Sequence, residues 1–255
     1  VTALFIAHGA PSLALEEDSF TRALRDFGDT LNDAKAMVVV SAHWQTRGAM
    51  RANAVAHPEP IYDFGGFSPE LYTLRYDAPG EPSLAAEVAQ LVGAAIEPQR
   101  GWDHGLWVPL RHLRPAADIP IVELSLPMPA DPQELLDAGR KLRPLRDRGV
   151  VICGSGGIVH NLRIIDFSGK DAPVAPWASE FDAWIADRIL ARDFASVASY
   201  RTLAPNASLA VPTPEHFEPL LVALGALRDD ETAVTLFAGF QYGTLSMRSI
   251  RSGNN

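Results

Sequence analysis

Thr2-Ala-Leu-Phe-Ile-Ala-His8-Gly9-Ala-Pro11-Ser12 decides how the chain is read. The strand-formers Leu4, Phe5 and Ile6 run into a histidine, and Gly9 and Pro11 then forbid the strand to continue. Ala36-Met-Val-Val-Val-Ser41-Ala-His43-Trp44 repeats this grammar: a buried-looking strand that releases a histidine at its carboxyl end. In open parallel sheets the functional crevice lies outside the carboxyl ends of the strands. Two strands delivering imidazoles to one rim therefore point to a metal or catalytic site there.

Outward from these strands the pattern alternates. An amphipathic helix is expected from Glu16 to about Leu31, and another from Pro82 to Ile96 with Leu84, Val88 and Leu91 inward. Between them, residues 57–67 concentrate Pro, Gly and aromatics and read as a shaped loop, the kind that carries function on a rigid scaffold. A short helical run leads from His104 to Leu113, and Ile119 to Leu126 is a strand. Asp131 and Pro132 start a helix that reaches about Arg148. The next strand, Gly149 to Cys153, falls into the glycine-rich turn 154–161. Helices follow from Trp177 to Ala191 and from Thr213, as cap, to Leu227. Thr232 to Phe237 is a last strand, with 241–250 a sheet edge or hairpin. Strands alternating with helices predict a single-domain α/β sandwich over residues 1–255. Its mostly parallel sheet is flanked by helices, with the metal site at the carboxyl ends of the strands.

Composition narrows the function classes. The 255 residues are 47% hydrophobic and 21% charged, ordinary for a soluble globular protein. A net charge of −9 argues against nucleic acid or anionic membranes as partners. Cys153, the single cysteine, cannot form an internal disulfide. No apolar run approaches the roughly 20 residues that span a bilayer, and no signal peptide is visible. A cytoplasmic protein is expected. Oligomeric state is left open.

The chain has seven histidines. His8 and His43 end strands, His160 follows a strand in a glycine-rich turn, and His216 lies in the first turn of a helix. There the macrodipole keeps its ring neutral for ligation. His104 starts another helix. His112, in Arg-His-Leu-Arg, reads as a surface residue, and His57 as a loop residue. Two other patterns compete. Residues 154–159 imitate a dinucleotide fingerprint, but Val159 stands at the last glycine position. Cys153-Gly-Ser155-Gly-Gly157 imitates a nucleophile elbow, with Asp187 and His216 following in hydrolase order. That reading leaves His8 and His43 unexplained.

Taken together, FIAHGAPS (5–12), VVVSAHW (38–44), YDFGGF (62–67), DHG (103–105), SGGIVHNLR (155–163) and TPEHFEPLL (213–221) resemble the class III extradiol ring-cleaving dioxygenases. The branch resembled is that of the DOPA 4,5-dioxygenase-like proteins. The resemblance implies a non-haem Fe(II) site and opening of a catechol ring beside one hydroxyl, with both atoms of dioxygen incorporated. It implies His8, His43 and His216 as metal ligands, His160 as the catalytic base and His104 as a stabiliser of negative charge. Iron oxygenases usually hold the metal with two histidines and a carboxylate. Here His216 stands where a glutamate is found in other branches, and Glu215, about 100° away on a helix, cannot aim at the same ion. Three neutral histidines also suit zinc, and His160 as a fourth ligand would close a tetrahedral zinc centre. A non-catalytic zinc- or small-molecule-binding protein is the alternative. Trp44, Phe64 and Tyr242 are candidate pocket walls.

Overall fold

The fold is seen in a computed structural model that describes residues 1–254. Its strands are β1 (Ala3–Ala7), β2 (Ala36–Arg47), β3 (Arg51–Asn53), β4 (Ala95–Glu97), β5 (Ile121–Met128), β6 (Val150–Gly156), β7 (Glu231–Phe237), β8 (Phe240–Gln241), β9 (Leu245–Ser246) and β10 (Ser249–Asn254). Eight of them form one sheet, in the order β4-β3-β5-β2-β6-β1-β10-β7, and β8 pairs with β9 in a hairpin. The central strands β5, β2, β6 and β1 are mutually parallel, so their carboxyl ends share one rim. This is the expected α/β sandwich.

Continuous apolar strands form here because both faces of the sheet are covered. Phe5, Val38, Val40, Leu124 and Ile152 belong to one core layer. Leu4, Ile6, Met37, Val39, Val151 and Cys153, one residue out of phase, belong to the other. The second layer is closed by α1 (Ser19–Gly28); the first by α2 (Pro82–Val92). Next come α3 (His104–Leu113) over the second layer and α4 (Pro132–Leu142) over the first. Further along are α5 (Pro176–Leu190) and the short helices α6 (Phe194–Ala198), α7 (Tyr200–Leu203) and α8 (Ala207–Ala210). The last helix is α9 (Glu218–Gly225).

Several boundaries differ from the sequence reading, each for a local reason. The helix expected to reach Ile96 stops at Val92, because Gly93 takes the left-handed conformation (φ 74°) and frees Ala95–Glu97 to form β4. The helix from Asp131 ends at Leu142, and Pro144 turns the remainder into a 3-10 segment. Asp18, not Glu16, begins α1, in a capping box with Thr21. The segment read as a sheet edge divides: β8 and β9 make the hairpin, and β10 lies inside the sheet, antiparallel to both β1 and β7. Strand β2 does not end at His43. It runs to Arg47, with a register shift against β5 between Val40 and Gln45. Its pairing with β6 stops at Ser41, where β6 itself is ending, so His43 still reaches the rim. No helix among the described residues is long and apolar enough to cross a membrane.

Candidate metal centre

Five of the seven histidines meet at that rim. His8 leaves the end of β1 and is 2% exposed. Its backbone N–H bonds Gly156 O at 3.1 Å, and its Nδ1 lies 3.2 Å from Ser155 Oγ. Because the Ser155 hydroxyl donates to Gly105 O, its oxygen is left to accept, and the proton of His8 must sit on Nδ1. Nε2 of His8 therefore carries a lone pair. His43 presents its Nε2 3.1 Å from that atom, while its Nδ1 lies 3.7 Å from a carboxylate oxygen of Asp63, which favours the proton on Nδ1.

His216 arrives from the opposite side. It does not lie in the first helical turn as expected, since α9 begins only at Glu218, with Pro219 in its first turn. Its carbonyl accepts from Gly157 N–H at 2.8 Å instead of from a helical amide. That turn presses on β6 so closely that a Cβ at Gly156 would stand 2.0 Å from His216 O. The glycine-rich stretch is thus what lets His216 be seated. Nδ1 of His216 bonds Glu215 Oε1 at 3.2 Å, and its buried Nε2 has no partner. Glu215 is held ionised at about 2, against burial, by bonds to His216 and Thr213.

Three lone pairs facing one another without a proton between them call for a cation. The distances fit one. The ring centres of His8, His43 and His216 lie 4.8, 4.9 and 5.2 Å apart. Three imidazoles on one tetrahedral ion, with nitrogens ~2.0–2.1 Å from it, place their ring centres about 5 Å apart. Among the described residues, the donor atoms that group within 4.8 Å of one another are those of His8, His43 and His104. The His104 ring, however, lies 3.8 Å from that of His43 and 5.7 Å from that of His8, too near one and too far from the other for the same ion. Nε2 of His216 and Nδ1 of His104 are both buried without a hydrogen-bond partner, but the latter lies 2.9 Å from Asp63 Oδ1. The donor set of 8, 43 and 216 fits better.

His160 stacks on His216 with ring centres 3.5 Å apart and planes 7° from parallel. One ion cannot lie in both planes, so the arrangement does not make His160 the fourth ligand expected above. The ring instead forms part of the cleft wall. Burial, then the neighbouring His216 and His43, hold it neutral, down at about 2. His43 is lowered to about 3 by burial first and then by His104 and His216. Burial is also the leading cause of the lowered values of His8 and His216.

Two carboxylates complete the frame. Asp63, in the shaped loop, places Oδ1 2.9 Å from His104 Nδ1 and 3.0 Å from the His104 backbone nitrogen. Asp103 caps α3, bonds Ser41 Oγ at 2.6 Å and pairs with Arg100 at 2.9 Å, tying the helix that starts at His104 to the strand that carries His43. The sequence reading assigned no role to either aspartate, although the YDFGGF and DHG motifs contain them.

The remaining expectations divide, with His112 and Trp44 corrected and His57, Phe64 and Tyr242 where they were read. His112 is buried, its Nε2 2.7 Å from Leu13 O, because α3 packs that face on residues 11–15. His57 is exposed and away from the cleft. Trp44 is not a cleft wall; it is buried beneath Arg100, 4.7 Å over its ring. Phe64 and Tyr242 do line the cleft. Ser155 is 1% exposed and inside β6, and no helix follows before Pro176. The strand–turn–helix of a nucleophile elbow is absent among the described residues.

The sequence and the fold have counterparts among known proteins. Residues 3–247 match the family described as the catalytic LigB subunit of aromatic ring-opening dioxygenase. The chain is 38% identical to a 4,5-DOPA dioxygenase extradiol of Escherichia coli (strain K12), over 98% of this chain and 94% of that protein. It is 36% identical to the protein of the same name from Beta vulgaris, over 97% and 94%. A crystal structure of an uncharacterized Escherichia coli K12 protein superimposes with a TM-score of 0.82 at 34% identity, covering 99% of both chains.

Proposed function

The chain belongs to the family of the catalytic LigB subunit of aromatic ring-opening dioxygenase, and from that premise we propose that it is an extradiol dioxygenase acting on a catechol-type substrate. In this reading residues 1–255 form a single catalytic domain working in the cytoplasm on a small molecule and O2. The observation that carries it is the gathering of five imidazoles in the wall of one cleft of about 420 Å³, with the ring centres of His8, His43 and His216 4.8, 4.9 and 5.2 Å apart. These three residues would hold a non-haem Fe(II). Fe(II) held there would supply the means to activate dioxygen and to lower the pKa of the ring hydroxyls.

The remaining residues divide the proton work. His160 stands in the cleft wall, and it acts as general base for a ring hydroxyl, returning the proton later. His104, whose Nδ1 faces the ionised Asp63, keeps its proton on that side and turns its other nitrogen to the cluster. It stabilises negative charge that develops on oxygen. Phe64 stands edge-on to His104 at 5.6 Å and shields it from water.

The all-nitrogen donor set favours a second possibility for the metal: zinc in material as isolated, in a protein that binds a small molecule without turnover. Anaerobic reconstitution with Fe(II), followed by oxygen uptake with a panel of catechols, separates the two. Stoichiometric oxygen consumption with a yellow ring-opened product supports the dioxygenase. Retained metal without uptake leaves the binding protein.

A further inference from the structure

The cleft volume of about 420 Å³ lies within the roughly 300–1,000 Å³ that holds drug-sized ligands, more than a single ring needs. Beyond the imidazoles and the polar groups of Ser12, Asp63 and Tyr242, its lining is apolar, with Phe64, Phe67, Leu162, Ile165, Phe167 and Leu245 the large side chains. Among the described lining residues none is Lys or Arg, and the only carboxylate, Asp63, is already shared by His104 and His43. Lys170, on the same wall segment, is taken by Glu16 and Asp18. At the mouth Phe167 is 81% and Leu162 57% exposed, a hydrophobic rim with nothing packed on it.

A carboxylate carried on the ring would lose water there without finding a cation, and an ammonium would find only a carboxylate already engaged. Resting on the dioxygenase reading, we propose that the preferred substrates are catechols whose ring substituent is uncharged and apolar, packed against Phe167 and Leu162. Catechols carrying a free carboxylate, an amine or both rank below them.

The test compares kcat/KM for oxygen uptake by the Fe(II)-reconstituted enzyme. The panel is catechol, 4-propylcatechol, 3-(3,4-dihydroxyphenyl)propanoate, the methyl ester of that acid, and dopamine. Each added methylene is expected to raise kcat/KM by about three- to fourfold, and the ester to exceed the acid by at least about tenfold. The same order is expected for dissociation constants measured calorimetrically on zinc-loaded protein, where the redox-inert metal permits no turnover. Phe167→Ser should lower the ratio of propylcatechol to catechol severalfold. An acid equal to or better than its ester overturns the proposal, and loss of that preference in Arg163→Gln would locate the overlooked cation. Dopamine equal to or better than propylcatechol overturns it too. Absence of uptake with every member sinks the dioxygenase reading and the preference together; uptake led by charged members sinks the preference alone.

Discussion

Replacing Ser155 by alanine separates the metal reading from the hydrolase reading in one protein. The Ser155 oxygen accepts from His8 Nδ1 at 3.2 Å while its hydroxyl donates to Gly105 O. Alanine leaves both buried partners unpaired, and at roughly 1–3 kcal/mol per orphaned group the protein should lose about 2–6 kcal/mol of stability. With its far nitrogen released, the His8 ring is free to turn. Loss of such a supporting bond typically weakens metal binding about 10–100-fold, or about 1.4–2.8 kcal/mol. Turnover at saturating Fe(II) should stay within about tenfold of the parent, because no atom of Ser155 lines the cleft. Urea unfolding, anaerobic Fe(II) titration and oxygen uptake measure the three quantities. Unchanged metal affinity would refute the orientation of His8 by Ser155. Loss of turnover that saturating metal does not restore would refute the placement of Ser155 outside the chemistry.

His160→Phe should keep the metal and lose ring cleavage by about 10²–10⁴-fold, read as metal content beside oxygen uptake; a fully active variant removes the base assignment. The metal-free protein should lose stability on acidification. An imidazole ordinarily near 6.5 that burial holds at about 3 in His43 and about 2 in His160 refuses protons the unfolded chain accepts. Its contribution is complete above pH about 6.5 and falls from there down to about 3, at up to about 1.4 kcal/mol per pH unit for each imidazole. Glu123 and Glu218, both raised by burial, act with the opposite sign, but the four lowered imidazoles at 8, 43, 160 and 216 outnumber them. Denaturant titrations between pH 7 and 5, above most carboxyl titrations, should show the decline; constant stability there would contradict neutral, desolvated rings.

The parts legible in the sequence were those written in local pattern. Strands β1, β2, β5 and β6 announce themselves as apolar runs because both their faces are buried. His8 and His43, read at the ends of the first two strands, could be placed on one rim from topology alone. The parts missed depend on contacts between distant segments. Nothing local in Arg-His-Leu-Arg reveals that His112 reaches a carbonyl 99 residues away. Similarly, the neighbours of Asp63 do not show that it faces His104, 41 residues on. The glycines at 154–157 were visible but ambiguous among a phosphate loop, an elbow and a tight turn. Only the backbone of His216 lying against Gly156 shows what they accommodate. The hairpin of β8 and β9 falls within the stretch 241–250 read as edge or hairpin, whereas nothing local marks residues 249–254 as a strand inserted beside β1.

X-ray absorption at the iron edge of the Fe(II)-loaded protein tests the centre itself. Three imidazole shells are expected in the parent and two in His216→Ala, with His104→Ala retaining three. An unchanged spectrum in His216→Ala, or an imidazole lost in His104→Ala instead, would show that the ion sits elsewhere among these rings and that the proposed ligand set is wrong.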